Sequence, residues 1–234
     1  VAVAVNGTLQ TGKTGTISGG TWLIEDVTTF PNDIITVFID GATDATEAVG
    51  VFRYDGVGDV TGVELYERHL SLGSDDALTL SNLDLSSYDN SVSTDEDIFF
   101  DVDGGLDLHV CASGGCGDAE LFIRHGNTFR PGSTTAEEVH THDIEINGQV
   151  IGDGTSFFVS GSWDNNSDFI DDDSSVTFTA STTSEIIESV GATTTTFYDV
   201  TFGQDAGTPD WEFRSLLDVD NNLTLTRGTT TAAT

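Results

Sequence analysis

Asp143-Ile-Glu-Ile-Asn-Gly148, Phe157-Phe-Val-Ser-Gly-Ser-Trp163, Val176-Thr-Phe-Thr-Ala180, Phe197-Tyr-Asp-Val-Thr-Phe202 and Leu217-Asp-Val-Asp-Asn-Asn-Leu-Thr-Leu225 repeat one pattern. Each is a short run with alternating apolar and polar residues, broken by small or turn-forming ones. Alternation with a period of two is what a strand with one dry and one wet face requires. Successive starts lie about 14–21 residues apart, which is the spacing of rungs in a repeat architecture. Stacked as a β-solenoid, the rungs would put Ile146, Phe158, Phe178, Val200 and Leu223 in one buried column. The same strands also suit an antiparallel sandwich, and the irregular spacing leaves both arrangements open for this half of the chain.

Working outward, residues 34–39, 49–54, 60–66, 78–83, 106–111, 120–124 and 139–146 also read as strands, most clearly Leu106-Asp-Leu-His-Val110. Asp40-Gly41, Asp55-Gly56, Asn147-Gly148 and Asp153-Gly154 supply turn chemistry between them. Thr, Val, Ile and Phe dominate, and these favour strands over helices. No stretch shows sustained 3.6-residue periodicity. The expectation is an all-β protein with residues 1–18 as an N-terminal strand segment, 19–130 as a sandwich-like domain, and 131–234 as a solenoid-like or second β domain. The boundary falls near Pro131, where the composition shifts.

Charge bounds the function. Forty Asp and Glu stand against seven Lys and Arg, a formal net charge of -33, and Lys13 is the only lysine. Nucleic acids and anionic membrane surfaces repel such a chain, because both are bound through basic patches. The longest apolar run, Ile34-Ile-Thr-Val-Phe-Ile39, is far too short to span a bilayer. Methionine is absent, as expected of a processed secreted protein or a segment of a longer one.

Several residue groups are candidates for chemistry. Asp101, Asp103 and Asp107, and Asp164, Asp168, Asp171 and Asp173, form dense Asp/Asn loops of the kind that give calcium its six to eight oxygens. The competing reading is a solvated acidic surface. The 101–107 run lacks the third acidic ligand and the turn glycine of a helix-loop-helix calcium loop, so a calcium site there would be a β-turn site. His140 and His142 are two apart on an expected strand and could face the same side. The pattern lacks the further Asp and His of a hydrolase metal motif. Cys111 and Cys116 flank a Gly-rich loop that closes easily into a disulfide; free thiols and half a metal site are the alternatives. Asn6, Asn165 and Asn222 open glycosylation sequons, which a Thr- and Ser-rich chain also produces by chance. Lys13 reads as a lone basic residue or as the amine of an isopeptide cross-link. No nucleophile elbow or activated thiol is visible, so no catalytic residue is assigned and an enzyme is not expected.

The runs from Asn127 to Arg227 resemble long secreted, repeat-bearing, adhesin-like bacterial surface proteins with β-helical segments. Residues 19–88 resemble them more faintly. The resemblance rests on packing and turn residues, and it implies an extracellular structural or adhesive role with no catalytic residues to transfer. Val1, Val3 and Val5 alternate with Ala in an uncharged strand that suits a central sheet position. With no nearby hairpin partner, it is expected to fill an open sheet edge of the next copy, giving a head-to-tail polymer. The expected protein is therefore an extracellular filament, sheath or surface-layer subunit with cation-bridged acidic faces. The alternative is a module that binds surface glycans or a partner protein through exposed Trp163 or Trp211.

Overall fold

The computed structural model describes all residues except 44, 94, 112–117, 133–136, 182–183, 191–195, 204–207, 227 and 233–234. The chain is all-β, with about 43 % strand and 2 % helix. It opens with an antiparallel cap. There β1 (Ala2–Val5) lies between β2 (Thr8–Thr14) and β3 (Ile34–Phe38), and β3 pairs antiparallel with β4 (Val49–Arg53). β5 (His69–Leu72) then runs parallel to β4, and from there the chain winds.

The first turn continues through β6 (Thr79–Leu80), the single-turn helix α1 (Asn82–Leu85), and the hairpin β7 (Asp101–Val102) and β8 (Leu108–His109). Three regular three-strand turns follow. They are β9 (Glu120–Ile123), β10 (Thr128–Phe129) and β11 (Glu138–Thr141); β12 (Asp143–Ile146), β13 (Gln149–Ile151) and β14 (Ser156–Val159); and β15 (Trp163–Asn165), β16 (Asp168–Ile170) and β17 (Ser175–Phe178). The last turns carry two strands each: β18 (Glu185–Ser189) with β19 (Thr196–Phe202), and β20 (Asp210–Phe213) with β21 (Asp218–Leu225), ending in β22 (Thr229–Ala232). Strands stack in three sheets of 11, 4 and 7 members, and the whole is a β-solenoid of about seven turns. The choice between solenoid and sandwich for residues 131–234 thus resolves to solenoid.

Parallel stacking begins well before residue 131, because β4, β5, β9 and β12 are successive neighbours in one sheet. The sequence pattern hides this: the first rung, from Leu70 to its registered partner Leu121, contains an inserted helix and hairpin. Residues 78–83 are not one strand. Ser81 stops β6 and caps α1, where its hydroxyl accepts from the Asp84 amide while the Asp84 carboxylate accepts from the Ser81 amide.

Register decides the core. Phe38, Val49, Leu70, Leu121, Ile144, Trp163 and Ile187 are successive registered partners across the 11-stranded sheet, and all are buried. Leu80, Phe129, Val150 and Phe169 do the same on the four-stranded sheet, and Leu108, Val139, Phe157, Val176 and Val200 on the seven-stranded one. Trp163 sits where the three meet, its ring centroid 4.9 Å from that of Phe169 and 5.2 Å from that of Phe197. Such edge-on aromatic contacts add to the burial of the rings.

The expected buried column is corrected in four places: Phe178 is buried but belongs to the neighbouring column of Val159 and Phe202, beside that of Val200. Ile146 belongs to the 11-stranded sheet. Phe158 points outward and stacks on His140 at 4.6 Å, while Phe157 takes the inward position. Leu223 extends the Val200 column on the last rung but is 52 % exposed. A double Phe places one ring on each face, and alternation alone does not say which. Asn147-Gly148 is a corner between sheets and not a hairpin. A Cβ at Gly148 would collide with the carbonyl oxygens of Arg124 and Asn127 one turn below.

Replacing the two neighbouring phenylalanines tests this register. Phe157→Ala should cost about 3–5 kcal/mol in equilibrium urea unfolding, the range for a large-to-small change in a packed core. Phe158→Ala should cost about 1 kcal/mol, the scale of an aromatic stacking contact. Equal costs would contradict the assignment of faces.

Candidate functional site

The outer face of the 11-stranded sheet changes character along its length. At the cap end it is dry: Val3, Val5, Ile35, Val37 and Phe52 form a second apolar cluster covered by Trp22, Ile24, Tyr54, Val63 and Leu65. From β9 onward it is wet and acidic. In-register stacking places Phe122, Glu145, Asp164 and Glu188 in one outward row, and His69, Glu120 and Asp143 in the next. Parallel strands lie about 4.7–4.9 Å apart, so the like charges of a row sit at that spacing.

A groove of about 510 Å³ opens at the boundary between the two halves, lined by Tyr66, His69, Phe122, Arg124, Glu145 and Asn147 among others. Tyr66 is 45 % exposed and packs edge-on against Phe122, ring centroids 5.6 Å apart. His69 is fixed at both nitrogens, with Nδ1 2.6 Å from the Glu67 carbonyl and Nε2 2.9 Å from Glu120 Oε2. Burial opposes charge on this imidazole, but the hydrogen bonds to Glu120 and Glu67 outweigh it and hold the His69 pKa above its ordinary value. The Glu145 pKa is raised as well. Burial raises its pKa, the Asn147 amide donating at 2.6 Å opposes the rise, and the charge of Glu120 with a hydrogen bond between the two carboxyls raises it further. Burial also raises Asp164, and Glu188 and Glu120 add to it. The repulsion within the row thus shows in the raised pKa values at its middle, and Arg214, 3.8 Å from Glu188, offsets it at the end. Chemically, the groove offers an exposed aromatic face beside fixed hydrogen-bonding groups and a carboxyl whose pKa burial raises.

The carboxylates singled out from the sequence lie elsewhere and are spread out. Asp103 Oδ1 accepts from the Gly105 amide at 2.7 Å and the Asp107 amide at 3.3 Å; these backbone bonds hold its pKa down. Asp107 accepts from the Glu138 amide at 2.8 Å, and Asp101 lies on β7. Asp164 is in the outward row. Asp168 is around the corner on the four-stranded sheet, bound to Gln149 Nε2 at 2.7 Å, and Asp171 and Asp173 are in the following turn. Chain proximity is lost because each sheet corner redirects the backbone. Among the described residues, three-membered groups with ligand atoms within 4.8 Å of one another are Asp40, Asp95 and Asp97, and His142, Asp143 and Glu185.

Other expectations resolve individually. Cys111 is disulfide-bonded, and Cys116, its expected partner, lies outside the described residues. His140 and His142 do not share a face: His140 stacks between His109 and Phe158 on the seven-stranded sheet, and His142 sits past the next corner. Lys13 is on the exposed β2, 4.0 Å from an Asp26 that is 91 % exposed, without the desolvation a cross-linking amine needs. Trp163 and Trp211 are completely buried core residues and present no ring to a ligand. Val3 and Val5 are buried and central in a sheet, as the alternation required, but the sheet is their own chain's: β1 has β2 on one side and β3 on the other. Val1 is partly buried, and its amine donates to the Gly15 carbonyl at 2.8 Å. The groove escaped the sequence reading because Tyr66, His69, Glu120 and Glu145 meet only after three turns of winding. The signal that could have found them is rung alignment, which puts Glu145, Asp164 and Glu188 in one row.

No family profile, curated protein sequence or solved structure matches the chain significantly. The β-helical repeat arrangement expected from the resemblance is present; kinship to adhesin-like surface proteins is a matter for proposal.

The raised Glu145 pKa has a stability signature. The raised pKa of Glu145 means the folded chain binds more protons than the unfolded one between the ordinary Glu value, 4.5, and the shifted one. This contribution is fully present below 4.5 and is lost as pH rises through the shifted value. Glu145→Gln should therefore make urea-unfolding stability less dependent on pH over that interval and raise it at pH 7. A pH profile identical to that of the parent would contradict the carboxyl pair.

Proposed function

We propose that this chain is an extracellular structural β-solenoid that stacks end to end with copies of itself, as a subunit of a filament, sheath or surface layer. The supporting observation is the distribution of charge relative to sheet edges. The 11-stranded sheet ends in β2 and β22. Their sequences, Thr8-Leu-Gln-Thr-Gly-Lys-Thr14 and Thr229-Thr-Thr-Ala232, contain no acid in a chain with 40 carboxylates, and β2 carries the only lysine. An edge strand without acids presents its unpaired backbone groups to another strand without the repulsion of the flanks. The flanks are acidic and repel one another, which disfavours sideways aggregation and leaves the ends as the attractive surfaces. Leu223 and Leu225 on the terminal rung of the seven-stranded sheet, 52 % and 61 % exposed, continue buried columns and would be covered by a further rung. Edge-to-edge stacking replaces strand exchange by β1, whose two edges are already occupied.

Calcium or other divalent cations bridging the acidic flanks would strengthen such an assembly by screening them. An extracellular location agrees with the Cys111 disulfide, since disulfides persist in oxidising compartments. No helix among the described residues is long and apolar enough to cross a membrane, and the charge argues against nucleic-acid partners. A second reading, a glycan-binding module, draws on the exposed Tyr66 ring beside the Asn147 amide and the Glu145 carboxyl, since sugars are held by an aromatic face and flanking hydrogen bonds. Loss of glycan-array retention in Tyr66→Ala would favour it.

Electron microscopy of the purified chain across a salt series tests the assembly. Fibres should form as salt screens the flanks. The triple variant Gln10→Glu, Thr11→Glu, Lys13→Glu should remain monomeric with an unchanged circular dichroism spectrum. Normal fibres from the variant, or monomers alone from the parent at every salt concentration, would overturn the proposal.

A further inference from the structure

We propose that His142, Asp143 and Glu185 form a binding site for a borderline transition-metal cation, of which Zn²⁺ is the representative, that clamps three successive rungs of the solenoid. Candidate ligand atoms of the three residues lie within 4.8 Å of one another. The residues belong to different turns. His142 and Asp143 lead into β12, and Glu185 begins β18, two neighbours along the sheet. The two ladders either side of this corner differ by one residue in register, Thr141 pairing with Val159 but Ile144 with Trp163, so the corner carries an extra residue on the middle turn, between those that bear the ligands. The Gly161 amide donates to the His142 carbonyl at 2.8 Å, which fixes this glycine against His142 at the corner.

β12 and β18 are separated by β15, two strand spacings or about 9–10 Å. Their side chains can converge only if the middle position leaves the space vacant, and here it is glycine. A Cβ on Gly161 would collide with Asp143 Oδ1 and lie 2.9 Å from His142 Cε1. The empty position is a cradle in which the imidazole and the Asp143 carboxylate gather.

The surrounding groups orient the three ligands. His142 Nδ1 is 2.9 Å from Ser160 Oγ, which leaves Nε2 facing Asp143, 4.0 Å from its Oδ1. The Ser162 amide donates to Asp143 Oδ1 at 2.6 Å, and the Ser162 hydroxyl donates to Glu185 Oε2 at 3.3 Å. Metal-bound histidine usually has its other nitrogen hydrogen-bonded in this way, which fixes ring and tautomer. Ligand atoms at tetrahedral zinc are about 3.4 Å apart, given bonds near 2.1 Å, so the three ligands draw together on binding from separations of up to 4.8 Å. One imidazole with two carboxylates suits Zn²⁺, Cu²⁺ or Ni²⁺, whereas Ca²⁺ and Mg²⁺ prefer oxygen alone. Three protein ligands leave the fourth position to water.

Isothermal titration of the untagged, EDTA-treated full chain with ZnCl₂, beside thermal melting, tests the site. The parent should bind one Zn²⁺ with a micromolar or tighter Kd and melt at a higher temperature with it, while equimolar MgCl₂ or CaCl₂ should leave the melting temperature unchanged. His142→Ala and Glu185→Gln should each weaken binding at least tenfold, and His125→Ala should not. Gly161→Ala keeps every ligand and should still lose the site. Should Gly161→Ala fail to fold by circular dichroism, the His142 and Glu185 variants decide. No zinc binding by the parent, or binding unaffected by His142→Ala and Glu185→Gln, would overturn the proposal.

Discussion

In-register parallel stacking is the constraint on which everything else in this molecule rests. Each turn lays its side chains directly over those of the turn before, so every position meets its own kind of neighbour about 4.8 Å away. Inside, this is favourable: Leu121 on Ile144 on Trp163 on Ile187 buries apolar surface on both sides of each residue. Outside, the same geometry is costly, because it lines up Glu145, Asp164 and Glu188. The interior must outweigh the exterior, and the raised carboxyl pKa values mark where the exterior cost is concentrated.

The surface devices follow from that conflict. Where the outer face is covered by the 54–65 loop, it carries valines and no acids. Where it is bare, carboxylates are tied to histidine, arginine or backbone amides: Glu120 to His69, Glu188 to Arg214, Asp143 to the Ser162 amide. A cation held by His142, Asp143 and Glu185 would act in the same sense, adding positive charge between rungs. The acid-free β2 and β22 edges are the exception to the acidic exterior, and their placement at the two ends of the sheet gives the proposed end-to-end assembly its physical basis.

Much of the fold was legible because strands announce themselves locally. Val176-Thr-Phe-Thr alternates, and Val176 and Phe178 are buried with Thr177 between them facing out. The β1 segment read as a strand buried on both faces, and it is one. What the sequence could not display was pairing. Nothing in Val1–Val5 distinguishes an edge in its own sheet from one in a neighbour, and nothing in Phe157-Phe158 says which ring turns inward. Trp163 was read as a surface aromatic because the column it joins, Ile144 below and Ile187 above, appears only once the rungs are aligned. The acidic loops were visible as composition. Asp164 and Asp168 nevertheless ended on different sheets, because a corner lies between them.

The central claim is a constant step per rung, and a spin-label ladder measures it directly. On the outer face of the seven-stranded sheet, His109, His140, Phe158, Thr177, Thr201 and Thr224 are successive registered partners. Nitroxides at His109 paired in turn with Thr177, Thr201 and Thr224 should give double electron–electron resonance distances near 14, 19 and 24 Å, growing by about 4.8 Å per rung. Distances that fail to increase in order, or a step far from one strand spacing, would contradict the solenoid register and with it the core, the acidic row and the clamp built on it.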